Sequence, residues 1–205
     1  MTEQSSKRDL YIQAGMQAIP YVGGSLSTLY FGAKQEKRLE RLETFYNELN
    51  DQIEDLQVTL NLDNQNTDEL VNLIEEVNEK IEIESREQKV AYIKNFLVST
   101  LQNVLTSDFD VRRHYLNSLS SMSLLDCEIL AFLFSQQSPV QIRGIKNPGV
   151  SQYIVYSAIS NLKSFGFIES RRGSFQMNGQ QDENLDDLVF LSDFGKQFCQ
   201  YVKIA

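Results

Sequence analysis

Histidine and cysteine are scarce in this chain, and their scarcity removes most familiar chemistries. The single histidine, His114, lies in the run RRHY. No acid and nucleophile fall at a spacing that pairs with it, so general-base and nucleophilic catalysis have no candidate residues. His114 reads instead as a residue on a helix surface. Cys127 and Cys199 have no CxxC spacing and no histidine partner, so neither a zinc site nor a disulfide framework is expected. Both sit among apolar neighbours and read as buried thiols. No glycine-rich phosphate loop follows a strand pattern, and Gly23-Gly24 lack the lysine and serine of a P-loop. The paired acids Glu75-Glu76 and Asp186-Asp187 lie in polar contexts and read as solvated charge. The N-terminal run MTEQSSKRDL has no signal-peptide pattern, from which a cytoplasmic chain is expected. These absences leave no catalytic residue, no metal site and no cofactor to name, and the chain is not expected to be an enzyme.

Charge is present but uneven. The chain has 205 residues and a net charge of −9. Residues 1–120 carry 12 Lys/Arg against 20 Asp/Glu, whereas residues 121–205 carry 7 against 8. Between Glu48 and Glu87 there are 13 acids and only Lys80 and Arg86 to offset them. Such a segment reads as a solvated helical face that repels nucleic acid.

The strongest pattern is in residues 34–60. Leu39, Leu42, Tyr46, Leu49, Ile53, Leu56 and Leu60 follow steps of three and four. A backbone of about 3.6 residues per turn puts all of them on one stripe of a long helix. Phe45 widens the stripe, which suits a helix packed in a bundle better than one strand of an isolated coiled coil. The neutral residues Asn50, Gln52, Gln57 and Thr59 at flanking positions give no charge code for a partner strand. Self-association through this helix is the alternative reading.

Residues 10–33 contain no charge, four glycines and Pro20, and are followed at once by Lys34, Lys37, Arg38 and Arg41. Length and small residues four apart fit a membrane segment with a basic flank. Pro20 and Gly23-Gly24 split it into two arms, each too short to span, so a buried helical hairpin is the preferred reading. The expected organisation is a flexible tail over 1–9, a helical bundle over 10–120 and a second domain over 121–205. Within the bundle, Asn66 with Glu69 and Ser85 with Gln88 read as helix-opening capping boxes. They start helices over about 67–83, with Leu70, Ile74, Val77 and Ile81 inward, and to about 105, with Val90, Ile93, Phe96, Leu97, Leu101 and Val104 inward. Thr106-Ser-Asp108 opens another, carrying Val111, Tyr115, Leu116 and Leu119. Helices in sequence with short loops read as a bundle.

The last third differs. Ser123 caps a helix with Leu124, Leu125, Ile129, Leu130 and Leu133 on its face. Ser138-Pro139 reads as the cap and first residue of a very short helix ending near Gly144. Ser151 caps a third helix, with a Val150–Val155 hydrophobic staple, Ile154, Ala158, Leu162 and Phe165 inward, and Gly166 as the left-handed residue after its end. Phe167–Ser170 and Leu188–Leu191 read as strands on either side of a polar loop. Ser192 caps a closing helix carrying Phe194, Phe198 and Tyr201.

Over residues 123–203 this sequence resembles a winged helix-turn-helix domain. NLKSFGFIES resembles the family's junction between recognition helix and a Leu/Phe-Gly-Phe/Leu-Ile-Glu strand. FLSDFGKQF resembles its Leu-Thr-x-x-Gly-x-x-Phe lead-in to the terminal helix. The whole chain resembles short proteins of bacteria and their phages that join an Ile-Pro-x-Val-Gly-Gly segment, a charged helix, a bundle and such a domain. Over residues 115–203 it is loosely similar to the abortive-infection alpha family of phage-defence proteins. The fold class that follows is mainly α, a helical bundle plus a winged helix with a small β-hairpin. The resemblance implies a non-enzymatic interaction protein acting in phage–host conflict, and the heptad-patterned helix points to a protein partner or self-association through the helical region.

A winged helix invites a second reading, a transcriptional regulator bound to double-stranded DNA. Its outward side chains on the third helix are expected to be Gln152, Tyr156, Ser160 and Lys163, with Arg143, Lys146, Arg171 and Arg172 as the basic patch. The helix face has one positive charge, and Asp182, Glu183, Asp186 and Asp187 crowd the loop between the strands, which disfavours phosphate. A third reading is a membrane-perturbing effector using residues 10–33.

Overall fold

The computed structural model describes residues 29–55, 67–102, 108–172 and 183–204. The chain divides into two compact units, residues 1–120 and 121–205. Among the described residues the protein is mainly helical, with one small antiparallel sheet.

The N-terminal unit holds α1 (Leu29–Asp55), α2 (Thr67–Ile83), α3 (Glu87–Gln102) and α4 (Phe109–Ser121). Helix α1 begins at Leu29, five residues before the charged stretch in which the heptads lie. Its stripe packs on α2 and α3, burying Leu42, Phe45, Tyr46, Leu49 and Ile53. Each such side chain contributes about 1.5–3 kcal/mol of transfer free energy. The widening of the stripe by Phe45 is therefore part of the packed face. Leu39, assigned to the same stripe, is 38% exposed. On either side of it Arg41 donates to the Glu82 carbonyl at 2.7 Å, and Arg38 pairs with the Glu82 carboxylate at 3.6 Å. Glu82 lies at the end of α2, so the heptad pattern runs on past the end of the helix it packs against. Leu56, Leu60, Asn66, Val104 and the segment 10–28 lie outside the described residues.

Helix α2 buries Leu70, Ile74, Val77 and Ile81 as its periodicity requires, together with Leu73. The turn into α3 is capped differently from expectation. The Glu84 carboxylate, rather than a Ser85–Gln88 box, accepts the N–H groups of Ser85 and Arg86, both at 2.9 Å. A carboxylate there also complements the positive end of the helix dipole. From Phe96 to Leu101 every residue of α3 is buried, which marks it as a core helix rather than a one-faced one. The buried Thr100 hydroxyl is satisfied by donating to the Phe96 carbonyl at 2.9 Å. Lys89, fully buried, donates to the Ser120 carbonyl at 2.8 Å and sits 3.4 Å from Glu84. It ties the start of α3 to the end of α4. Asp108 opens α4 by accepting from the Asp110 and Val111 N–H groups.

The C-terminal unit runs α5 (Leu124–Ser135), β1 (Val140–Gln141), a 3-10 turn (Ile142–Gly144), α6 (Gln152–Ser164), β2 (Ile168–Arg171), a 3-10 turn (Glu183–Asp186), β3 (Leu188–Leu191) and α7 (Asp193–Val202). The sheet order is β1-β3-β2, all antiparallel. Two strands were expected, and three are present among the described residues. The very short helix expected from Ser138-Pro139 is a 3-10 turn that ends at Gly144 as expected but starts only at Ile142, after a two-residue edge strand. Pro139 lacks an N–H, which suits the lead-in to an edge strand as well as it suits a helix start. Ser123 and Asp126 form the full capping box of α5, and Ser151 caps α6.

The core of this unit converges on one junction. Helix α6 ends with the Gly166 N–H on the Lys163 carbonyl and the Phe167 N–H on the Leu162 carbonyl, with Gly166 at φ +79°. This is the paired closure that a left-handed glycine permits. Ser192 then binds the junction twice, its N–H to the Phe167 carbonyl at 3.0 Å and its hydroxyl to the Gly166 carbonyl at 2.6 Å. The same hydroxyl accepts the Gly195 N–H at 2.9 Å and so caps α7. A Cβ on Gly195 would lie 2.1 Å from the Phe167 carbonyl oxygen, so glycine is required there. Phe167 stacks against Phe194 and Phe198, with ring centroids 5.6 and 4.2 Å away. Thus SFGFIES and LSDFGKQF, far apart in sequence, are two halves of one contact.

Candidate interaction surface of the C-terminal unit

Helix α6 carries Gln152, Tyr156, Ser160 and Lys163, four of the side chains expected to face outward. Its buried side is Val155, Ala158, Ile159 and Leu162. Ile154, expected inward, is 55% exposed, and its neighbour Tyr153 is 69% exposed. Phe165 is half-buried. The contiguous run Tyr153-Ile154-Val155 lets periodicity choose either neighbour, and burial of Val155 with Ile159 rotates the helix by one residue. Val155 is also the residue placed for a staple with Val150, and that spacing is the signal that would have set the rotation.

Of the residues expected to face outward, Gln152 does not present a usable amide. It is half-buried and its Nε2 donates to the Ile142 carbonyl at 2.8 Å and the Ile145 carbonyl at 3.3 Å. It ties α6 to the turn after β1 and has no hydrogens aimed at a ligand. Tyr156 and Lys163 are half-buried, and Ser160 is exposed with its hydroxyl on the Tyr156 carbonyl at 3.0 Å. The fully exposed positions of α6 are Tyr153, Ile154, Ser157, Ser160 and Ser164, none of them charged.

The basic residues gather at one end of the sheet. Leu188 of β3 is flanked by Gln141 on one side and Arg171 on the other. Arg143 follows β1 and Arg172 follows β2, so the three arginines share that end. Two of them are engaged locally. Arg143 pairs with the Asp186 carboxylate at 3.1 Å. The Arg171 guanidinium lies 5.1 Å from the centre of the Phe190 ring, its diagonal neighbour across the strands. Arg172 and Lys146 are exposed. Asp186 and Asp187 are on the same edge as the arginines, and the Asp187 carbonyl accepts the Ile142 N–H at 3.0 Å. Asp182 lies outside the described residues.

Elsewhere, His114 is exposed on α4 with its Nε2 3.5 Å from the Ser118 hydroxyl. Cys127 and Cys199 are buried and not joined by a disulfide. Burial, with a smaller contribution from Cys127, pushes the Cys199 thiol up to about 12. At neutral pH it holds its proton and is a poor nucleophile. Burial likewise pushes the Tyr46 phenol up, against the smaller opposing effect of its hydrogen bond to Asn78 at 2.6 Å. Among the described residues no group of three or more His, Cys, Asp or Glu gathers as metal ligands, and no single helix is long and apolar enough to cross a membrane. Comparison with family models, curated proteins and solved structures returned no match.

Proposed function

We propose that the C-terminal unit is a winged helix-turn-helix domain used to dock a protein, in a non-enzymatic interaction protein acting in phage–host conflict. The order α5, β1, turn, α6, β2, β3, α7 and the sheet order β1-β3-β2 support the winged-helix reading, with α6 in the recognition-helix position. The role in phage–host conflict rests on the resemblance to abortive-infection proteins. The observation that carries docking of protein over reading of DNA is the outer face of α6. It opens on exposed Tyr153 and Ile154, carries the half-buried Lys163 as its one charge, and has its base-reading amide, Gln152, committed to backbone carbonyls. An aromatic and an aliphatic anchor on a rigid helix are what a protein contact uses. A duplex-reading helix needs arginine, lysine or unengaged amides.

The regulator reading retains one supporting feature, the exposed Arg171-Arg172 pair, with Lys146 exposed as well. Arg143 is neutralised by Asp186, which shrinks that patch. The membrane-effector reading concerns residues 10–33, most of which lie outside the described residues. The docking reading is tested by phage plating on a bacterial host that carries the gene, with the wild type beside the Tyr153→Glu/Ile154→Glu double variant. The wild type is expected to lower plating efficiency and the double variant, matched in helical content and expression, to restore it. Equal protection by the two would remove the α6 face from the function.

A further inference from the structure

Helix α6 has an outer stripe that matches a second copy of itself run in the opposite direction. Tyr153, Ser157, Ser160 and Ser164 are all exposed and follow steps of four, three and four. They therefore share one face, turned away from buried Val155, Ile159 and Leu162. Exposed Ile154 flanks Tyr153. The large side chains stand at the start of the helix, and small ones follow to its end. We propose that two copies of the chain pair through this stripe, α6 against α6 and antiparallel, an assignment that rests on the reading of α6 as a protein-docking helix.

The spacing is the first reason to choose a second copy as the occupant. It reads the same in both directions, so a two-fold axis between Ser157 and Ser160 sets Tyr153 of each copy over Ser164 of the other. Large then meets small at both ends, and the central serines let the helix axes approach to about 8 Å, the close end of the usual range. A parallel pairing would set tyrosine on tyrosine. The state of the serines is the second reason. The Ser160 hydroxyl donates to the Tyr156 carbonyl at 3.0 Å, and the Ser164 hydroxyl to the Asn161 carbonyl at 2.6 Å. Both donors are engaged within the helix, so an aromatic ring laid over them strands no hydrogen. Charge is the third reason. A two-fold contact brings like charges together near its axis, and this stripe carries none, with Lys163 half-buried at its edge. Residues 1–120, with 12 Lys/Arg against 20 Asp/Glu, repel their counterparts in another copy. The uncharged stripe is where two such chains meet with least repulsion. A tyrosine, an isoleucine and three serines per copy cover less than the about 800 Å² per partner of a standard-size interface, so a weak dimer with a Kd of roughly 10–100 µM is expected.

The test is sedimentation velocity of the full-length protein over a concentration range that brackets that Kd, from about 5 to 500 µM. A monomer–dimer transition is expected, and added salt should leave it unchanged or strengthen it, because salt screens the repulsion and the contact itself is uncharged. The Tyr153→Glu/Ile154→Glu variant should raise the Kd at least about tenfold. The Ser157→Glu/Ser160→Glu and Ser157→Lys/Ser160→Lys variants, each with the helical content of the wild type, should be monomeric alone and pair with each other when mixed, as a contact between two α6 stripes requires. A monomer at every concentration, a dimer that survives Tyr153→Glu/Ile154→Glu, or failure of the mixed Glu and Lys variants to pair would each overturn the proposal. A monomeric wild type whose protection against phage is still lost in Tyr153→Glu/Ile154→Glu would overturn it and leave docking to an unlike protein standing. A dimer that is lost in that variant while protection persists would support the pairing and remove it from the phage phenotype.

Discussion

In the N-terminal unit the core is a ladder: Leu42, Phe45, Tyr46, Leu49 and Ile53 follow one another down a helix, each answered by α2 or α3. In the C-terminal unit it gathers at a point, the Phe167 carbonyl and ring, gripped by Ser192, Gly195, Phe194 and Phe198. The first kind of core is written in periodicity and is strongly acidic outside. The second is written in a few residues of particular shape, and its surface is close to neutral. A repeated pattern accommodates a partly exposed member such as Leu39. A convergent junction has no spare part, because two backbone carbonyls and one glycine carry the approach of β2 to α7.

That contrast can be broken by substitution. Leu49→Asp places a charge at a position 1% exposed and is expected to cost about 4 kcal/mol or more. It should abolish the unfolding transition of the N-terminal unit and leave the C-terminal one, as read by chemical denaturation with amide shifts reporting each unit. Simultaneous loss of both would show that the units do not fold independently. Gly195→Ala is expected to cost about 3 kcal/mol through its clash with the Phe167 carbonyl, confined to the C-terminal unit. A variant as stable as the wild type would mean the junction has slack.

A smaller effect follows from Glu84. Its hydrogen bonds to the Arg86 side chain hold the carboxyl at about 2, below its ordinary 4.5, against the cost of partial burial. The stabilisation is thus complete above about pH 4.5 and is lost as pH falls toward 2. Glu84→Gln should be less stable than wild type by about 1 kcal/mol at pH 7, a discounted figure for a partly exposed group, with the gap closing between pH 4.5 and 2.5. A gap unchanged at pH 3 would place the stabilisation elsewhere. Smallest of all, Leu39→Ala should shift stability by less than about 0.5 kcal/mol, in contrast to about 2–4 for Leu49→Ala on the same stripe. Equal costs would mean that Leu39 is packed.

Much of the helical architecture was legible because amphipathic spacing and serine or aspartate caps are local signals. The α1 stripe, the Ser123, Ser151 and Ser192 caps, Gly166 and the strand Leu188–Leu191 all read directly from sequence. Where the reading slipped, the deciding interaction was remote. β1 exists because Val140 and Gln141 pair with Val189 and Leu188, some fifty residues away. The cap of α3 comes from Glu84, which belongs to the preceding turn. On the candidate surface, the eight side chains singled out are mostly where expected on the chain, but their availability was not legible. The bonds from Gln152 to Ile142 and Ile145, and from Arg143 to Asp186, depend on how elements meet. The exposed anchors Tyr153 and Ile154 were missed because an unbroken apolar run hides which residue turns outward.

The most direct test of the central claim, that α6 meets protein and not duplex, is fluorescence anisotropy of a labelled random-sequence DNA duplex titrated with the full-length protein at low salt. Non-specific binding through a competent basic face is strongest there and falls steeply with added salt. No saturable rise in anisotropy at about 50 mM salt is the expected result, and Lys163→Glu and Arg171→Glu should change nothing. Saturable binding that weakens with salt and is lost in those two variants would contradict the account and restore the DNA-binding reading.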